Sequence, residues 1–69
     1  MTLEQYRDLL SWSQAELARQ AGLNNQTVSN AERGEVISTK TAQAICQALS
    51  RGLGRTIFAK DIEGLNVRK

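Results

Sequence analysis

Asn25, Gln26, Thr27, Ser29 and Asn30 place five amide and hydroxyl side chains within one short stretch of chain. An amide donates and accepts at once, and a hydroxyl does either, so this cluster suits recognition of a patterned polar edge. The adenine edge in the major groove is such a pattern, the Thr27 methyl matches a thymine methyl, and Ser29 can address bases or phosphates. Groups that make or break bonds are scarce by comparison. There is no histidine and a single cysteine, Cys46, which excludes ordinary zinc and haem sites. Asp61 and Glu63 are close in sequence but fall on different helix faces, so spacing does not make them an acid–base pair. The sequence implies binding without catalysis and without a cofactor.

Those polar residues need a scaffold, and the surrounding pattern supplies one. Leu3, Tyr6, Arg7 and Leu10 recur at helical spacing behind Thr2, predicting a first helix over Thr2 to Leu10. Ser13 and Glu16 form a capping-box pattern at the head of a second helix, whose inner side is Leu17, Ala18 and Ala21. Gly22 then sits where a left-handed residue costs least. Leu23 follows, and Asn24 can cap a third helix with Val28 and Ala31 inside. Asn25, Gln26, Ser29, Asn30 and Arg33 face outward, and Gly34 stops it.

Ser38 or Thr39 opens a fourth helix with Ala42, Ile45, Cys46 and Leu49 inside. Arg51 to Arg55 (RGLGR) reads as a loop, and Ile57, Phe58, Ile62 and Leu65 as a short closing helix with its approach. Asn66 to Lys69 are expected to fray. No segment has a convincing strand pattern. The predicted fold is all-α, a bundle of about five short helices in one domain over residues 1–69.

Composition agrees with that class. At 69 residues the chain is near the lower limit for folding without staples, and one cysteine permits no intrachain disulfide. A reducing cytoplasm is the implied setting. No apolar run approaches a membrane span, and the opening TLEQYRDLL lacks the basic-then-apolar order of a secretory signal. A net charge of +2 permits nucleic-acid binding without requiring it.

The solvent side of the third helix is unusual. An exposed helix surface ordinarily carries Glu and Lys, which favour helix more than Asn, Ser and Thr do. Weaker helix formers there point to contact with a partner. The ordered set of a small residue at Ala18, a turn at Gly22 and apolar Leu17, Ala21, Leu23, Val28 and Ala31 suits two helices crossing steeply.

With these motifs the chain resembles the Cro/cI-type helix-turn-helix family of phage and bacterial transcription regulators, the XRE or lambda repressor-like group. The similarity covers about Leu3 to Leu49 and is most specific at SQAELARQAGL, TVSNAERGE and QAICQAL, with FAKDIEGL less so. It implies a five-helix domain whose helix-turn-helix core is residues 14–33. It further implies a repressor that binds double-stranded DNA as a homodimer on a nearly palindromic operator. The third helix would enter the major groove by its N-terminal end.

On that reading Asn25, Gln26, Thr27, Ser29 and Asn30 contact bases, while Gln14, Asn24, Arg19, Arg33 and Lys40 contact phosphates and fix register. Arg7 shares a stripe with Leu3, Tyr6 and Leu10, so it must be paired. Glu32 is the expected partner, matching a buried Arg–Glu pair in similar domains. Trp12 stands where similar proteins carry an aliphatic core residue and is expected to pack. Cys46 is expected inside, without a redox role.

The chain departs from the family after Gly34, where EVIST replaces the basic or polar residues often found there. That limits neutralised phosphates to about four to six and makes dimerisation more important. Val36 and Ile37 fit either a dimer surface or the core. Two other functions share this surface: an antitoxin-like DNA-binding partner of another protein, and a protein–protein adaptor.

Overall fold

Helices this short are marginal alone, and each begins on a side-chain hydrogen bond that offsets part of the cost of its first turn. The computed structural model describes residues 1–68. α1 (Leu3–Leu10) starts at Thr2, whose hydroxyl accepts from the Gln5 amide while the Gln5 side chain accepts from Thr2 N–H. α2 (Gln14–Ala21), α3 (Asn25–Glu32) and α4 (Thr39–Leu53) start at Ser13, Asn24 and Ser38 respectively. In each the cap oxygen accepts from the backbone N–H three residues on. Only half of the expected Ser13–Glu16 box forms, because the Glu16 carboxylate accepts from Arg19 and Gln20 instead.

The four helices pack through their small and aliphatic faces. Leu17, Val28, Ile45 and Leu49 are the largest fully enclosed side chains, with Leu3, Tyr6, Ala18 and Ala31 around them. The α2–α3 turn closes at Gly22 (φ 72°), and Leu23 N–H donates to Ala18 O at 2.8 Å. Trp12 packs against the core's edge, as expected, beside Leu10.

Four features correct the sequence expectation. The closing segment is not a fifth helix but one 3₁₀ turn, Ala59–Asp61. Its ends are pinned too closely for more, since buried Ile57 and Ile62 flank it and the Asp61 carboxylate accepts from Phe58 N–H. Phe58 is exposed. Arg51 to Arg55 is not wholly a loop, because α4 continues through Leu53 and ends at Gly54. Gly52 is accommodated there because it abuts Leu10 and Trp12, whose atoms would lie 2.9 Å from any Cβ.

The chain also has a sheet, contrary to the strand-free expectation. β1 (Val36–Ile37) pairs in parallel with β2 (Asn66–Val67), in the register Val36 to Asn66 and Ile37 to Val67. Residues 66–68 are therefore tied down, with Arg68 N–H donating to Ile37 O at 2.7 Å; Lys69 lies outside the described residues. Strands of two residues are too short to show alternation in the sequence. Ile37 is buried and Val36 exposed.

Ser50 joins α4 to this closing segment. Its hydroxyl donates to Cys46 O at 2.7 Å and accepts from Ile57 N–H at 2.8 Å. Ser50→Ala should lower the unfolding free energy by about 1–3 kcal/mol, the cost of stranding a part-buried N–H. A chemical-denaturation midpoint equal to wild type would contradict this bridge.

Candidate nucleic-acid interface

The polar face of α3 is held from beneath by a charged network. Arg7 Nε donates to Glu32 Oε2 at 2.5 Å and its Nη2 to Glu32 Oε1 at 3.2 Å, with the two side chains 12 % and 10 % exposed. Arg7 Nη1 also reaches Trp12 O at 2.9 Å, and Gln14 Nε2 donates to Glu32 Oε1 at 3.0 Å. One carboxylate thus joins α1, α2 and α3, and Arg7 adds the α1–α2 turn. Its hydrogen bond to Glu32 raises the Arg7 pKa above its ordinary value, outweighing the opposing effect of burial. Among the described residues no enclosed side-chain N or O atom lacks a partner.

Above that network, Asn25 and Gln26 are exposed, and Thr27, Ser29 and Asn30 half-buried. Asn24 Oδ1 accepts from both the Thr27 amide and its hydroxyl, each at 2.8 Å. That bond uses the Thr27 hydroxyl proton at the head of the helix. Farther along, Asn30 Oδ1 accepts from Gln26 Nε2 at 2.8 Å and from Arg33 Nη2 at 2.7 Å. Arg33 Nη2 also donates to Glu35 Oε2 at 2.5 Å. The structure therefore brings Gln26, Asn30 and Arg33 into one hydrogen-bonded row, and Asn24 and Thr27 into a second group at the N-terminus.

The other basic candidates lie apart from that row. Arg19 pairs with Glu16 within α2, and its hydrogen bond, followed by that of Gln20, holds the Glu16 carboxyl below the usual carboxylate range. Lys40 is exposed in the first turn of α4. Gln14 is half-buried with one amide N–H directed at Glu32, which leaves a second N–H for another acceptor. Exposed ion pairs such as Arg33–Glu35 contribute little stability, so a phosphate can replace the carboxylate at small cost.

Sequence reasoning did not anticipate Glu35 as the partner of Arg33, nor Arg51, whose Nη2 donates to Gln20 O at 2.8 Å in the last turn of α2. The Glu35 pairing had a local signal, opposite charges two residues apart across the Gly34 turn. The Arg51 contact spans 31 residues and had none.

This surface can exchange hydrogen bonds with a patterned polar partner, and it carries no reactive group. Cys46 is half-buried, and burial, with a smaller effect of Asp61, pushes its thiol pKa up, which keeps it protonated and weakly nucleophilic. Among the described residues no group of three or more His, Cys, Asp or Glu is placed to hold a metal ion, and no helix is long and apolar enough to cross a membrane.

Residues 3–55 match the helix-turn-helix family, a span that runs from α1 to just beyond α4. No curated protein and no solved structure matches the chain.

Glu32→Ala would strand the Arg7 guanidinium in a nearly enclosed site. It should lower the unfolding free energy by about 3 kcal/mol or more. An unchanged melting temperature would show that the pair does not act as a buried one.

Proposed function

This chain belongs to the Cro/cI-type helix-turn-helix family of DNA-binding regulators, and from that premise we propose that it is a sequence-specific repressor reading the major groove with α3. The observation that carries the proposal is the outer face of α3, whose amides and hydroxyls stand on a helix fixed from below by Glu32. Asn25, Gln26, Thr27, Ser29 and Asn30 are the base-reading residues. Gln14, Asn24, Arg19, Arg33 and Lys40 meet phosphates, with the N-terminal amides of α2 and α3 adding donors. Repression follows from occupancy of the operator, where bound protein blocks polymerase.

A homodimer on a nearly palindromic site fits the size of the domain. Half-sites one helical turn apart are separated by about 34–36 Å. The Cα trace measures 27 × 21 × 18 Å, so two copies fit side by side without overlap. Joining two half-sites raises affinity without new contacts, which matters for a surface with few free cations.

Salt titration with duplex DNA tests the proposal. Neutralising about four to six phosphates predicts a log–log slope of about −4 to −5, together with preference for some duplexes over others. A protein–protein adaptor would show neither. Within the preferred duplex, Gln26→Ala should cost about 1–3 kcal/mol and relax preference at one base pair. Equal loss on every sequence would contradict base reading by Gln26.

Glu35 competes with DNA for Arg33. Glu35→Gln lets a phosphate oxygen take the place of the carboxylate on Arg33 Nη2. The variant should bind duplex severalfold more tightly, because no carboxylate has to be displaced from Arg33 first. Unchanged affinity would remove Arg33 from the phosphate contacts.

A further inference from the structure

Gln26 and Asn30 are adjacent on α3, one turn apart, and both are amides. An amide free to turn about its last bond offers its oxygen and its NH2 in either order, and such a group discriminates poorly. Here chemistry fixes the order. Arg33 carries donors only, and its Nη2 lies 2.7 Å from Asn30 Oδ1, so the Asn30 oxygen must be the atom that faces it. The same oxygen sits 2.8 Å from the end of Gln26, which must then present its NH2, since two oxygens at that distance would repel. Glu35 holds Arg33 Nη2 from the far side. Asn30 is half-buried in the middle of this row, and Gln26 is exposed at its end.

We infer that Asn30 is a positioning residue for Gln26: its oxygen is withdrawn from base reading and sets the polarity of the Gln26 amide, with Arg33 orienting both. The inference rests on the proposal that α3 reads bases, and adds what each amide can recognise there. Gln26 keeps its carbonyl and one N–H, the pair that complements adenine N6 and N7. Asn30 keeps only the N–H groups of its Nδ2. It can address acceptors, namely guanine O6 and N7 or thymine O4, and cannot accept from the adenine N6 amino group. Two side chains with the same functional group are thereby made to read different partners.

The test is selection of bound duplexes from a random pool by the full chain as wild type, Gln26→Ala, Asn30→Asp and Asn30→Ala. Gln26→Ala identifies the base pair that Gln26 reads. Asn30→Asp preserves size and supplies a carboxylate that accepts from both Gln26 and Arg33, so it keeps the row while removing the Asn30 N–H groups. Asn30→Ala dissolves the row and favours helix, so folding is retained. Preferences are compared within each pool, which cancels any uniform loss of affinity from added negative charge.

Asn30→Asp should keep the adenine preference at the Gln26 pair, about tenfold or more, and lose preference only at its own pair. Asn30→Ala should lose both, with the Gln26 preference falling below about threefold. If Asn30→Ala leaves the Gln26 preference intact, or Asn30→Asp abolishes it equally, Asn30 does not position Gln26, although α3 still reads bases. A wild-type pool with no enriched sequence overturns base reading itself and this inference with it.

Discussion

The part-buried Arg7–Glu32 pair, with Gln14 joined to it, ties three of the four helices together. Two hydrogen bonds form the pair between α1 and α3, and two more tie it to the α1–α2 turn and to α2. Desolvating two charges is expensive, and a packed pair of aliphatic residues would serve stability as well or better. What the pair adds is geometry. A carboxylate has few directions in which to accept, a guanidinium few in which to donate, and together they allow one arrangement of three short helices. Aliphatic packing alone around Leu17, Val28 and Leu49 is less selective, since apolar contacts carry little directional preference.

Shielded and exposed ion pairs have opposite roles in this molecule. Arg7–Glu32 is largely shielded from solvent and every polar atom of its two side chains has a partner, so it resists exchange. Arg19–Glu16 and Arg33–Glu35 stand largely in solvent, where a pair gains little over hydration and yields readily to another anion. On the proposed reading, the first holds α3 at a fixed attitude while the second kind hold basic side chains in place until a phosphate replaces the carboxylate. The rigid underside and the exchangeable surface meet on α3, whose C-terminal residue is Glu32.

Much of this was legible in the residues. Thr2, Ser13, Asn24 and Ser38 announce helix starts because their side chains can bond a free backbone N–H, and all four do. The inner positions of α2 and α3 follow from 3.6-residue periodicity, and Arg7 on an apolar stripe demanded an acidic partner. What escaped lies in contacts distant along the chain. Ser50 capping Ile57 and Gly52 packed against Leu10 and Trp12 keep α4 helical past a segment that reads as loop. β1 and β2 are two residues each, below the length at which a period can be recognised, and they pair across 30 residues. On the polar face, sequence placed Gln26, Asn30 and Arg33 on one side of a helix. It did not reveal that they bond to one another, because rotamer choice depends on Glu35 beyond the Gly34 turn.

On the proposed reading, the face of α3 braced by Glu32 is the surface applied to DNA. Backbone amide shifts of the labelled chain, followed during titration with its preferred duplex, locate the surface that meets DNA. The largest changes should fall in residues 24–33 and at the start of α2, with α4 from Gln43 to Ser50 and exposed Phe58 little affected. Changes concentrated around Phe58 and α4, with residues 24–33 unmoved, would contradict it.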